Sequence, residues 1–186
     1  MSFSDDVKEA KATLKKIKNY DINGFAKELK YWIRELHFFY NIIVPNETND
    51  PSTSFYKIKP ANRPTTGQIA YFNLRKGYPK EIYGGHYCYI LKDFGSKYLV
   101  IPTTSVKENS NPPNSKIEID IKIKEFKNDK TSRLHLSDMR AIDIQRINEQ
   151  KSIYDIKEKP ADLNQKISEF LFETAWQLTD KIVLLI

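Results

Sequence analysis

The chain has 186 residues, 40% of them hydrophobic and 29% charged, with a formal net charge of +6. That length suits one domain with an elaboration, the composition is globular rather than disordered, and no run approaches the roughly 18 apolar residues of a membrane span. The polar, acidic start MSFSDDVKEA is neither a secretory signal nor a transit peptide, so a cytoplasmic protein without a membrane partner is expected. The lone Cys88 excludes internal disulfides and a cysteine-rich zinc site, and the basic excess favours a polyanionic partner through counterion release.

Residues 4–18 read as a helix, with Ser4 as cap, Asp5 and Asp6 at the positive end, and Val7, Ala10, Leu14 and Ile17 at helical spacing. A second helix over about 24–40 places Phe25, Leu29, Trp32, Leu36 and Phe39 on one face, widened by Ile33, Phe38 and Tyr40. We expect that face to be packed, with His37 partly buried beside it. Residues 45–66 are rich in Pro, Asn, Thr and Ser and mark a boundary between an N-terminal helical extension (1–62) and a β domain (63–186).

Three strand-like runs follow. Gln68–Asn73 alternates, His86–Lys92 is aromatic and β-branched, and Tyr98–Pro102 leads straight into Thr103, Thr104 and Ser105. Asp93-Phe94-Gly95-Ser96 joins the second and third, with glycine where a hairpin requires positive φ. Residues 106–115 form a polar loop, and Lys116–Ile121 alternates isoleucine with acid as a half-buried strand. After the charged stretch 122–131, Arg133–Met139 alternates again, with Leu134 and Leu136 inward and His135 outward, and Arg140–Ile144 continues past a bend. Pro160 opens a last amphipathic helix carrying Leu163, Ile167, Phe170, Leu171, Thr174 and Leu178. Short strands without crossover helices predict an α+β protein with a mainly β core: a small, strongly bent sheet or barrel, with two helices before it and one after.

The chain has no phosphate-binding glycine loop of the Walker type, no dinucleotide fingerprint, no nucleophile elbow and no metal-ligand spacing among its three histidines. What remains is the group at the strand ends. His86 follows Gly84-Gly85, and its imidazole titrates near neutral pH, so it can give or take a proton. Thr103, Thr104 and Ser105 offer hydroxyls and backbone N–H groups to phosphate oxygens. Lys76, Lys80, Lys107 and Arg140 supply positive charge, and Tyr78, Tyr83 and Tyr87 supply rings on which bases stack. The same residues also fit a plain structural role, with Tyr87 and Tyr89 in the sheet, the lysines solvating loops and Cys88 in the core.

The ordered blocks GQIAYFNL, GGHYCYIL, YLVIPTTS, KIEIDI and RLHLSDMRAIDIQRI resemble the MazF/PemK (Kid) family of toxin endoribonucleases. In that family an aromatic strand, a glycine-containing loop, an Arg-Pro-led apolar strand, a strand ending in P-x-T and a late R-x-[IL]-D-x-x-R follow in this order. The last pattern stands here as Arg140-Ala141-Ile142-Asp143-Ile144-Gln145-Arg146, and the likeness covers about residues 63–180.

The resemblance implies an SH3-like β-barrel with a C-terminal helix, a homodimer with an RNA groove across its interface, and a cognate antitoxin that fills the groove. It implies cofactor-free, metal-independent cleavage of single-stranded RNA, in which the 2′-hydroxyl attacks and leaves a 2′,3′-cyclic phosphate and a 5′-hydroxyl. Thr104 matches the family's active-site threonine. The family's active-site arginine is replaced, by His86 if the loop carries a one-residue deletion and by Tyr87 without it; histidine suits acid–base work better. Asp138 falls near a polar position used by some members, and Ser105 stands beside Thr104. The missing Arg-Pro and the helical extension favour an alternative, a non-catalytic toxin or binding protein of the same barrel type, as in the gyrase poisons of the CcdB group.

Overall fold

A computed structural model describes residues 2–54, 62–75, 77–78, 80–126 and 130–183. The chain divides into two compact units, Met1–Lys57 and Ile58–Ile186.

In the first unit, α1 spans Phe3–Leu14 and α2 spans Ile22–Phe38, continued by a π-helical turn, Phe39–Ile43, and the short α3, Val44–Glu47. The cap of α1 falls earlier than the sequence suggests. Ser2 receives the Asp5 amide while the Asp5 carboxylate accepts from the Ser2 amide, a reciprocal box that leaves Ser4 inside the helix. Ala10 and Leu14 of α1 and Phe25 and Leu29 of α2 line one apolar groove. The expected packing of the α2 face is not found: α2 carries no buried residue, Trp32 and Leu36 remain about two-fifths exposed, and His37 is exposed. Two helices cannot enclose each other, so a wide apolar face is only half covered by one partner.

The second unit is an α+β body with a mainly β core. Its strands are β1 (Gln68–Asn73), β2 (Gly85–Asp93), β3 (Lys97–Ser105), β4 (Glu118–Lys122), β5 (Thr131–His135), β6 (Arg140–Asp143) and β7 (Tyr154–Asp155). They form a curled antiparallel sheet in the order β4-β5-β3-β2-β1-β7, and β6 also pairs with β3. The β2–β3 turn is the expected one. Gly95 adopts φ +84° and its amide reaches the Asp93 carboxylate, a conformation that a side chain at this position would strain.

The centre is β3. On one side Tyr98–Pro102 pair with β2; on the other, Lys97–Val100 pair with β6 and Thr103–Ser105 with β5. Pro102, which has no N–H to leave unpaired, sits in the gap between those two partners. Beyond β5 the chain does not run on as one strand. Leu136–Asp138 make a 3₁₀ turn before β6, which lets β6 return to the start of β3.

Alternation along the strands gives each face its own core. Ile69, Tyr89, Ile101, Ile121, Ile123 and Leu134 cluster with Leu163 and Ile167 of α4, the helix Pro160–Val183. The Tyr89 hydroxyl donates to Asn164 Oδ1 at 2.8 Å and so ties helix to sheet. The opposite face buries Ala70, Phe72, Cys88, Ile90, Tyr98 and Val100 with Ile142 and Ile144. Cys88 is a core residue, and burial pushes its thiol well above the ordinary range, so it stays protonated.

The two layers differ in what a substitution removes. Ile101→Ala, at the crossing of β2, β3 and the α4 cluster, is expected to lower unfolding free energy by about 2–5 kcal/mol. Tyr89→Phe, which deletes one hydrogen bond and no apolar area, is expected to cost about 1 kcal/mol. Urea unfolding of both variants beside the parent chain measures the difference.

Candidate functional site

The strand registers bring polar side chains together on one face where β3 passes from β6 to β5. Glu118 faces His135 and Asp120 faces Arg133 across β4–β5, and Arg133 faces Thr104 across β5–β3. Their chain neighbours Ile119, Ile121 and Leu134 point to the core, so the alternation that builds the core also lays out this polar row.

The row is a connected chain of contacts. Arg133 grips Asp120 with two parallel bonds, Nε to Oδ1 at 2.7 Å and a terminal N–H to Oδ2 at 3.0 Å. Its other nitrogen lies 3.6 Å from Glu118 Oε2, and Glu118 Oε1 lies 3.5 Å from His135 Nδ1. His135 Nε2 then meets Thr104 Oγ1 at 2.8 Å. Burial holds the His135 imidazole below its ordinary pKa, helped by the charges of Arg133 and His86 and opposed by Glu118 and Asp138. In the neutral ring, the carboxylate beside Nδ1 favours the proton there, which leaves Nε2 to accept from the Thr104 hydroxyl. The arrangement is a hydroxyl–imidazole–carboxylate relay with a long outer step.

His86 opens β2, opposite Phe72. Its Nδ1 lies 3.0 Å from the Thr103 carbonyl. A carbonyl only accepts, so Nδ1 carries the proton and the neutral ring has its lone pair on Nε2. His86 is close enough to His135 for its charge to oppose protonation there. Two imidazoles therefore serve one threonine segment, one held by the Thr103 backbone and one by the Thr104 side chain.

The remaining sequence candidates are distributed differently. Thr103 is on the core side, buried, with its hydroxyl donated to the Tyr87 carbonyl at 2.9 Å. Ser105 pairs with Ser132 at the exposed strand end, one step round from the Thr104 face. Tyr87 points to the core face, edge-on to Tyr71, Phe126 and Tyr154 at 4.8–5.7 Å between ring centres. Burial, then Tyr154 and Tyr71, push its hydroxyl up to about 12, so it stays neutral and out of acid–base reach. Tyr78, at 81% exposure, Tyr83 and Lys80 are exposed in the 74–84 loop, and Lys107 is exposed after β3. Lys76 lies outside the described residues.

Asp138 and Arg140 meet that loop instead of standing open. The Ile82 amide donates to Asp138 Oδ1 at 2.9 Å, and Arg140 donates to the Ile82 carbonyl at 2.9 Å. Arg140 and Asp138 also pair at 3.3 Å. Both backbone groups of one loop residue are thus held by a strand-end ion pair, beside His135.

Sequence reasoning passed over His135, Glu118, Arg133 and Asp120. His135 does lie opposite Leu134 in the alternation, but it is four-fifths covered by its neighbours rather than in solvent. The available signal was the pairing of E-x-D in KIEIDI with R-x-H in SRLHL, opposite charges at period 2 on two strands that can be neighbours. Among the described residues, no group of three or more His, Cys, Asp or Glu is placed to hold a metal ion, and no helix is long and apolar enough to cross a membrane. No family model matches the chain, and no curated protein matches it.

Two measurements follow from this geometry. A histidine whose folded pKa is lowered binds its proton more readily when unfolded, so its contribution to stability is full above the ordinary value of about 6.5 and is lost as pH falls through the folded value. The urea midpoint should therefore drop on acidification from pH 7.5 to 5, and His135→Gln should flatten that dependence; an unchanged slope would show that His135 does not carry it. Asp138→Ala should speed amide hydrogen exchange at Ile82 and its loop neighbours while leaving the β2 and β3 amides protected.

Proposed function

We propose that the chain is a metal-independent endoribonuclease acting on single-stranded RNA, built on a small SH3-like barrel as its resemblance to the MazF/PemK family implies. The observation that carries this reading is the pair of imidazoles on adjacent threonines, His86 with Nδ1 on the Thr103 carbonyl and His135 with Nε2 on the Thr104 hydroxyl. Cleavage of RNA through its own 2′-hydroxyl needs one group to take a proton, one to give a proton, and a donor to the phosphate.

His86 Nε2 takes the proton of the 2′-hydroxyl as O2′ forms its bond to phosphorus. The bond from phosphorus to O5′ breaks, and His135, protonated once the phosphodiester anion lies against it, gives its Nε2 proton to Thr104 Oγ1 as the threonine hydroxyl gives its own to O5′. The products are a 2′,3′-cyclic phosphate and a 5′-hydroxyl, and solvent returns both rings to their starting states. Thr104 links the proton to the anion. When Nε2 of His135 is protonated it must donate to Thr104 Oγ1, and the threonine proton turns to a phosphate oxygen. Net charge of +6 supports binding of the polyanion. A homodimer with an RNA groove at its interface, and a cognate antitoxin that fills the groove, belong to the same reading, as does a cytoplasmic location.

The deciding experiment incubates a long single-stranded RNA with the purified chain in EDTA and maps the ends. Discrete fragments with 5′-hydroxyl termini are expected, with rates reduced about 100-fold or more in His86→Ala and in His135→Ala. Thr104→Val should lose about 100-fold while the fold survives. RNA left intact at high protein concentration would transfer the reading to a non-catalytic binding protein of the same barrel type, with gyrase the next target.

A further inference from the structure

We infer that the recess between Tyr71 and the turn 147–153 is a nucleobase pocket that reads one base of the RNA. This deepens the ribonuclease reading and rests on it for the identity of the polymer. The recess has a volume of about 320 Å³, at the low end of the range for small-ligand sites, and its walls include Asn62, Tyr71, Asn148, Gln150 and Lys151.

The walls are fixed by the strand edge. β7 covers β1 only at Gln68 and Ile69, and past that point the turn takes its place, with Ile147 bridged to Phe72 and the Asn148 amide donating to the Tyr71 carbonyl at 2.8 Å. Asn148 Oδ1 accepts from the Gln150 amide at 3.0 Å, and the Asn148 carbonyl accepts from the Lys151 amide at 3.0 Å, so the turn is closed on itself. Tyr71 stands edge-on to Tyr87 at 5.1 Å, and its hydroxyl lies against Gly85, where any side chain would collide with it. The ring is thus a rigid wall, one residue along β2 from His86. Its side chain is on the opposite face of the β1–β2 ladder from that histidine.

The chemistry of the walls selects the ligand class. An aromatic ring in a fixed orientation stacks on any base, at little cost in side-chain order. Asn62 and Gln150 each offer a donor and an acceptor, Asn148, whose Oδ1 takes the Gln150 amide, offers its donor, and Glu149 adds a carboxylate acceptor, groups that can hydrogen-bond the edge of an unpaired base. The Lys151 ammonium rests 5.8 Å from the Tyr71 ring centre, and its flexible stem lets it yield that place to a base and turn to the attached phosphate.

The test titrates adenosine, guanosine, cytidine and uridine 5′-monophosphates separately into the His86→Ala/Thr104→Ala chain, followed by NMR. That variant lacks the proposed cleavage machinery, so binding is read apart from catalysis. One nucleotide should bind about tenfold more tightly than the others. Gln150→Ala and Lys151→Ala, both at exposed turn positions, should each weaken it about fivefold with an unchanged urea midpoint. Four nucleotides that do not saturate, or one whose binding is indifferent to both substitutions, would overturn the pocket. Binding lost while the parent chain still cuts RNA removes this inference alone; binding kept while RNA stays whole removes the ribonuclease reading and leaves a nucleotide pocket.

Discussion

The second unit depends on one strand having to satisfy three partner strands along its two edges. β3 gives its early residues to β6, its middle to β2 and its end to β5, and the change of partner falls at Ile101–Pro102. A buried strand must place every amide and carbonyl, so the change is possible only where a residue has no N–H to place. Proline at that point lets the edge of β3 opposite β2 pass from β6 to β5, while Thr103 stays bonded to Tyr87 and His86 of β2. The Thr104–His135 contact is a consequence of that change of partners.

The polar row has a cost that its own connections offset. Arg133 is buried, and Glu118 and His135 are four-fifths covered. An isolated charge in such a place is strongly unfavourable, and even a paired one contributes little net stability. What the pairing provides is orientation. The two-bond grip of Arg133 on Asp120 fixes the guanidinium, the guanidinium places Glu118, and Glu118 turns the His135 ring so that Nε2 meets Thr104. The Asp138–Arg140 pair does the same for the 74–84 loop through the Ile82 backbone. Arg140, read from the sequence as a phosphate contact, is engaged by the Ile82 carbonyl and by Asp138.

Local chemistry was legible in the chain and long-range pairing was not. The Asp93–Ser96 turn, the alternating runs that became β1 to β4, the buried Cys88 and the proline start of α4 are each set by residues within a few positions of one another. By contrast, residues 133–144 read as strand, bend, strand, and nothing local says that the first piece joins β4 and β3 while the second returns to the opposite end of β3. β7 is two residues long and exists only because β1 offers it an edge. The site followed the same division. His86 and Thr104 stood out by type and position at strand ends, whereas His135 needed the register: its one-residue alternation with Leu134 predicts the opposite face, and only the neighbouring strands decide whether that face meets solvent or other side chains. The α2 stripe failed in the reverse direction, since its periodicity is helical and strong but says nothing of how many partners are present to cover it.

In the proposed ribonuclease, the lowered proton affinity of His135 gives the cluster a resting state that differs from its working state. With the ring neutral, the threonine proton is spent on Nε2 and the site offers little positive charge of its own, because Arg133 and Arg140 are both engaged by carboxylates. An arriving anion supplies the missing counter-charge, raises the affinity of the ring for a proton, and by doing so reverses the Thr104 hydrogen bond. Anion binding and proton uptake are then one event, linked through a single hydroxyl. In a site with a guanidinium in place of an imidazole, the charge is permanent and no such coupling exists. A histidine at this end of the sheet therefore sets when the positive charge is present, in addition to how strongly it acts.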